Sequence, residues 1–286
     1  MSSPVLDRRR FLAGLAAAPL VACTSGSREP AGRLPSRSAA TVHANARSAL
    51  LAARPSTDGN GARVFRLFPQ VPGDHHDPFV LLDDFAVAPP AGFPLHPHRG
   101  FEAFTYMIDG AFHHRDTLGN DSVVTSGGTQ RFTSGRGAHH SEMPAAEQVN
   151  RGLQLWVNLP PELKQMDPEY EAIHGPDLPE VARRDVVERE IVGSTSHVRL
   201  RTAVTYLDLD ARARTRWEHE VPAGANGLVY VLEGTAKVGD VDVAAKTAAI
   251  LTPGGVEVLA ERGTRFVFLA GAAHGAPIHH HGPFVD

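Results

Sequence analysis

The sequence has one cysteine, Cys23, in 286 residues. That excludes a disulfide within the chain and any zinc site built on two or more thiolates. A surplus of positive charge is also missing, since 28 Lys and Arg face 32 Asp and Glu for a formal charge of -4. Little is left over to neutralise a phosphate backbone, so nucleic acid is excluded as a partner. The apolar run near the start, Leu12 to Ala22, covers eleven residues, whereas a spanning helix needs about 20. What is present is an ordinary globular composition, 42% hydrophobic and 21% charged, long enough for one large domain or two smaller ones. With 27 Gly and 22 Pro, short strands and turns are favoured over long helices. The 16 histidines are the abnormal count, and they point toward metal or proton chemistry.

Residues 1–23 read as an address rather than as fold. Arg8, Arg9 and Arg10 precede Phe11, Leu12 and the short apolar run, a twin-arginine export pattern. Leu20, Val21 and Ala22 before Cys23 resemble a lipobox, which would make Cys23 the lipidated amino terminus. An ordinary cleavage site nearby, with Cys23 incidental, is the alternative. Removal of the segment leaves 25 basic against 31 acidic residues, or -6. Residues 24–55, rich in Ser, Ala, Arg and Pro, read as a tether. The expected location is therefore the periplasm or cell envelope, with membrane contact only through a lipid at Cys23. Export by this route carries folded proteins, which suits a protein that acquires its metal in the cytoplasm.

From Arg63 onward the pattern is strand after strand, and it repeats. Glu102 to Gly110 matches Asn226 to Gly234, with Tyr106 on Tyr230, Asp109 on Glu233 and Gly110 on Gly234, an offset of 124. Phe132 to Gly135 matches Leu251 to Gly254 at an offset of 119. Two echoes in order imply two tandem β-modules. Short strands at regular spacing favour jelly-roll barrels, in which closure protects the sheet edges. The expected fold is all-β, with an N-terminal barrel over 56–160, a proline-broken linker over 161–183 and a C-terminal barrel over 184–286.

Six histidines fall between Leu95 and Ser141. His96 and His98 stand two apart, as do His140 and Glu142. Strand side chains alternate with period two, so each pair can project from one face. Three imidazoles and one carboxylate make a borderline donor set suited to a divalent first-row metal. Glu102, four residues beyond His98, is a rival ligand if the strand is unbroken; His139 points away from His140. The competing reading is a set of imidazoles satisfied by hydrogen bonds in a polar barrel. Through the two offsets, His96, His98, His140 and Glu142 fall on Glu220, Pro222, Leu259 and Glu261. No histidine is repeated there, so the second module is expected to be metal-free.

At these residues the chain resembles the pirin family of the cupin superfamily. The strings HPHRGFE (His96 to Glu102), TSGRGAHHSEMP (Thr133 to Pro144) and LQLWVNLP (Leu153 to Pro160) carry the likeness. DPFVLLDD (Asp77 to Asp84) and GPFV (Gly282 to Val285) agree. The resemblance runs from about Arg63 to the last residue and implies a bicupin with metal in the N-terminal barrel. It places the ligands on His96, His98, His140 and Glu142, leaving Glu102 to support the site. One departure is the turn Ser126-Gly127-Gly128-Thr129, where cupins commonly carry Pro-Gly-Asp. The resemblance also implies a quercetin 2,3-dioxygenase type of activity on flavonol-like or other enolisable aromatic substrates, with dioxygen as co-substrate. Fe(II) is the expected ion, with Ni, Mn, Co, Cu or Zn as alternatives, and Glu142 is the expected catalytic base. The rival class is a non-catalytic metal-binding redox sensor or envelope binding protein.

The other signals receive plainer readings. His113 and His114 are expected on a solvated strand, with Asp116 as a possible support for an imidazole. His279, His280 and His281 are expected in an exposed loop, and His75 and His76 in a Gly/Asp/Pro loop. Trp156 and Trp217 read as core or rim aromatics. Arg99 and Arg136, beside the motifs, suit either an anionic substrate or structural hydrogen bonds.

Overall fold

Alternating apolar and polar residues, punctuated by Gly and Pro, produce an almost purely β architecture in the computed structural model, which describes residues 49–286. Cys23 and the expected export segment lie outside the described residues. The first half carries β1 (Ala49–Ala52), β2 (Arg54–Asp58), β3 (Ala62–Phe68), β4 (Phe79–Val87), β5 (Phe93–His98), β6 (Phe101–Asp109), β7 (Ala111–Asp116), β8 (Asp121–Thr125), β9 (Thr129–Thr133), β10 (Ala138–Pro144), β11 (Asn150–Asn158) and β12 (Glu169–Ile173). The second half carries β13 (Glu180–Ala182), β14 (Val186–Val192), β15 (Val204–Ala211), β16 (Thr215–Val221), β17 (Ala225–Glu233), β18 (Thr235–Val238), β19 (Val241–Ala244), β20 (Thr247–Leu251), β21 (Gly254–Ala260), β22 (Arg265–Ala272), β23 (His280–His281) and β24 (Phe284–Val285).

The strands close into two double-sheet barrels. In the first, a seven-stranded sheet ordered β12-β9-β6-β11-β4-β3-β2 faces a four-stranded sheet ordered β5-β10-β7-β8. The second repeats the plan, with β1-β20-β17-β22-β15-β14-β13 facing β16-β21-β18-β19. The segments read as tether and linker thus carry strands of their own. β1 completes the edge of the second barrel by pairing with β20, Leu50 opposite Ala249. β12 extends the first barrel through β9, with Tyr170 opposite Phe132. The glycine turn at 126–129 keeps its geometry, with Gly127 at φ 78.

The two seven-stranded sheets pack back to back. Their shared core includes Phe104, Tyr106, Leu153 and Leu155 from the first barrel and Tyr206, Leu228, Tyr230 and Leu269 from the second. Strands between this interface and a barrel interior are buried on both faces, and β6 is accordingly buried along nearly its whole length. Parity within β6 then assigns each residue. Phe101 and Ala103 point into the barrel, while Phe104 and Tyr106 point at the other barrel.

The duplication is visible in the interface chemistry. Tyr106 donates its hydroxyl to Asp208 of the second barrel at 2.7 Å, and Tyr230 donates to Asp84 of the first at 3.1 Å. Both the tyrosines and the aspartates are separated by 124 residues, so the two contacts exchange symmetrically. Each buried carboxylate also has a cationic partner. Arg265 grips Asp208 through Nε at 3.0 Å and Nη2 at 2.7 Å, and Lys246 bonds Asp84. Removing one partner of a buried pair leaves an uncompensated charge. Arg265→Met is therefore expected to lower unfolding free energy by about 3 kcal/mol, read by denaturant titration. An unchanged midpoint would show the bidentate contact to be energetically idle.

Candidate metal centre

Backbone pairing of β5 with β10 sets His96 opposite His140 and His98 opposite Ala138. On β10 the burial alternates as expected, with His140 and Glu142 inside and His139 exposed. The result is a cluster in which donor atoms of His96, His98 and His140 all lie within 4.8 Å of one another. His96 Nε2 sits 3.0 Å from His98 Nε2 and 3.1 Å from His140 Nε2.

The contact between His96 and His98 is not a hydrogen bond. His96 Nδ1 lies 2.7 Å from the Pro94 carbonyl, and His98 Nδ1 lies 3.3 Å from the Pro283 carbonyl. A carbonyl only accepts, so in each ring Nδ1 is the donor and, in the neutral imidazole, Nε2 keeps a lone pair. Burial holds His98 neutral, pushing its pKa down to about 3, with the neighbouring His96 adding to the effect. Burial does the same to His140, whose pKa is well below the usual histidine value. Two lone pairs facing each other at 3.0 Å repel, and a cation between them removes the conflict. Cis ligands at metal–nitrogen distances of about 2.1 Å stand about 3 Å apart. The residues present therefore fit a divalent ion.

Glu142 is buried in the same cavity but does not belong to the three-histidine group. Its carboxylate is engaged by side chains instead. Thr105 donates to Oε1 at 2.6 Å, Gln130 makes a further bond to Oε1, and Gln154 reaches Oε2 at 3.5 Å. Glu102, the rival ligand, faces the other way. Gly100, at φ 85, breaks the strand after His98. Glu102 therefore follows the parity of Phe104 and Tyr106 and accepts from Thr133 at 2.8 Å and the Arg201 amide at 2.7 Å.

His96 and His98 open onto a cavity of about 610 Å³ walled largely by apolar and aromatic residues, within the size range of small-molecule sites. Leu81, Phe85, Phe93, Phe112 and Trp156 supply much of its wall. Trp156 is stacked on Phe101, with ring centroids 4.1 Å apart. Arg66 lies at the wall, bound to Asp83 through Nε at 2.9 Å and Nη2 at 2.6 Å and to Asp58 at 2.6 Å. None of Thr105, Gln130, Gln154, Arg66 and Asp83 stood out in the sequence. The single available signal was parity, since each faces inward from its strand.

Two plainer readings change, and the arginines take the structural one of their two alternatives. His114 is fully buried rather than solvated, stacked on Tyr170 at 3.9 Å and bonded to Asp116 at 3.0 Å. His280 belongs to a short strand and lines the cavity with Gly282 and Pro283. Arg99 and Arg136 are committed to Asp286 and Asp167. Trp217, by contrast, is a core residue of the second barrel.

Family models for pirin and for the pirin C-terminal cupin domain match residues 61–157 and 206–286. Human pirin is 34% identical over 244 residues, 81% of this chain and 84% of its own. This chain belongs to the pirin family. A pirin-like protein of Solanum lycopersicum is 37% identical over 243 residues, covering 82% and 84% of the two chains. Among solved structures, the quercetin 2,3-dioxygenase from Acinetobacter baumannii superposes with TM-score 0.77 at 30% identity, covering 83% and 90%. The bacterial pirin YhhW of Escherichia coli, solved with nickel(II), shares the fold at TM-score 0.65 and 19% identity, covering 79% and 99%.

In this pirin-family protein the second barrel has filled the equivalent space with valine. β16 pairs with β21 so that His219 is opposite Val256 and Val221 opposite Gly254, and Val258 lies opposite Val238. His96, His98, His140 and Glu142 thus correspond to His219, Val221, Val256 and Val258. The sequence offsets missed by one residue on β16 and three on β21, because the connections between strands differ in length. One histidine is repeated after all, stacked on Phe268 at 4.7 Å. Val221, Val256 and Val258 pack in the core with Trp217.

The depressed histidine pKa values give a direction for pH dependence. Between about pH 6.5 and 3 the unfolded chain binds protons that His98 refuses in the fold, so stability falls as pH falls, by about 1.4 kcal/mol per pH unit per such group. Metal-free wild type is expected to lose more stability between pH 6.5 and 4 than metal-free His140→Leu. Denaturant titration at both pH values checks this, and parallel losses would refute it.

Proposed function

We propose that this protein is an exported, metal-dependent dioxygenase of the quercetin 2,3-dioxygenase type, acting on flavonol-like or other enolisable aromatic substrates with dioxygen. The observation that carries this reading is the convergence of three imidazoles, His96, His98 and His140, beside an aromatic-walled cavity. Similarity to the Acinetobacter enzyme supports the substrate class. His96, His98 and His140 would hold one divalent ion, Fe(II) by preference, with Glu142 acting from the wall of the same cavity. When bound, the ion supplies Lewis acidity, lowering the pKa of a substrate hydroxyl.

The chain's own groups do the rest. Trp156, Phe93 and Phe112 offer flat apolar surface for an aromatic ring and exclude water from it. Glu142, fixed by Thr105, Gln130 and Gln154, accepts the hydroxyl proton at a carboxylate oxygen. Arg66, held by Asp83 and Asp58, adds polarity to the wall.

Purified iron-loaded protein mixed with quercetin is expected to consume oxygen and release carbon monoxide. His140→Ala should reduce turnover at least a hundredfold through metal loss, and Glu142→Gln should lower kcat while retaining metal. Stoichiometric metal with no oxygen uptake across a panel of flavonols and catechols would instead favour a redox sensor or binding protein. For export, Arg8→Lys with Arg9→Lys is expected to hold the protein in the cytoplasm. Cys23→Ala is expected to shift it from the membrane fraction to the soluble periplasmic one; unchanged fractionation would remove the lipid anchor from the proposal.

A further inference from the structure

The three histidines are supported unequally from behind. His96 finds its carbonyl locally, at Pro94. His140 Nδ1 is buried with no hydrogen-bond partner among the described residues. His98 takes its support from Pro283, 185 residues away. The segment that brings Pro283 there is not a loose tail. Val285 is fully buried in the cluster of Val80, Phe101, Phe132 and Ala138. Its amide donates to the Arg99 carbonyl at 3.0 Å, and its carbonyl accepts from Lys164 Nζ at 2.8 Å. Lys164 simultaneously holds the Gly100 carbonyl at 3.1 Å and Asn158 at 2.8 Å. Arg99 grips Asp286 through Nε and Nη2, at 3.0 and 2.8 Å, and its guanidinium lies 4.7 Å from the Phe284 ring centroid.

The backbone leaves no slack for this arrangement. Gly100 sits against the strap so closely that a Cβ there would fall 1.8 Å from the Val285 carbonyl oxygen. His98 is therefore followed at once by two residues bound to the strap, Arg99 and Gly100. The ring and its carbonyl partner are fastened to the same short stretch of structure.

We infer that residues 279–286 form a positioning strap for the candidate metal centre, in which the Pro283 carbonyl fixes the His98 tautomer and ring angle so that Nε2 presents its lone pair. The inference rests on the reading of His96, His98 and His140 as metal ligands. Such outer partners typically govern metal affinity by 10–100-fold. Asp286 acts on the site from within the strap, and Lys164 ties the strap to the Gly100 carbonyl beside His98.

The test uses the full chain loaded with Zn(II), with affinity read by chelator competition and ring protonation by long-range proton–nitrogen NMR. In the unsubstituted protein, His98 is expected to carry a solvent-protected proton on Nδ1. The double variant Lys164→Met with Asp286→Ala should weaken zinc binding 10–100-fold and release the His98 Nδ1 proton to fast exchange, leaving the His96 signal unchanged. Affinity within twofold of wild type with the His98 proton still protected would overturn the strap. If the double variant fails to fold, the unsubstituted protein decides: a proton on His98 Nε2, or an unprotected Nδ1, also overturns it. His140→Ala serves as the separate control. Wild-type zinc affinity in that variant would bring down the metal reading itself, whereas lost affinity there beside an unaffected strap variant sinks only the strap.

Discussion

The Nε2 atoms of His96 and His98, left as acceptors in the neutral rings, face each other at 3.0 Å with His140 Nε2 3.1 Å from the first, and much of the first barrel serves to keep them there. Hydrogen bonds to Pro94 and Pro283 fix which nitrogen of His96 and His98 carries the proton. Burial prevents relief by protonation at His98 and His140, since a charged imidazole there would lose its hydration without gaining a carboxylate. The one nearby carboxylate, on Glu142, is engaged by Thr105, Gln130 and Gln154. The site thus combines mutual repulsion with rigid walls, a preorganisation that favours a cation over a neutral ligand.

The second barrel shows what the fold does without that demand. Val221, Val256 and Val258 stand where His98, His140 and Glu142 stand in the first, and they join an apolar core around Trp217. Substituting valine for imidazole and carboxylate turns a polar cavity into packing, which stabilises the barrel as scaffold. The interface then distributes that stability. The Tyr106–Asp208 and Tyr230–Asp84 bonds cross in opposite senses between sheets related by duplication. Each barrel therefore satisfies a buried carboxylate of its twin.

Most of this architecture was legible in residue order. The offset of 124 between Tyr106 and Tyr230 holds along β6 and β17 because those strands and the turns after them are equally long. It fails at β10 and β21, where connections differ, and so the second-barrel counterparts were displaced by up to three residues. Period-two spacing identified His96, His98, His140 and Glu142 and rejected His139, because strand parity is a local property. Glu102 was open to misreading since a single glycine, Gly100, resets parity between β5 and β6. Thr105, Gln130 and Gln154 were invisible because each is one common polar residue whose role depends on the partner strand. The burial of His114 depends likewise on Tyr170, a strand residue within what reads as linker.

The parts that escaped the sequence share a cause: they join residues far apart in the chain. β1 leaves the first barrel's side of the sequence to complete the second barrel's edge. Residues 279–286 do the converse, crossing back to wall the first barrel's cavity. Because Pro283 and Val285 come from the far side of both barrels in sequence, the cavity wall is completed and the His98 Nδ1 partner supplied only once that segment has crossed back. A nascent or half-folded chain would display the same three histidines without their enforced geometry. Ion capture with full affinity is then a property of the finished fold, and a proposed route of export that carries folded proteins would let that capture take place before the membrane is crossed.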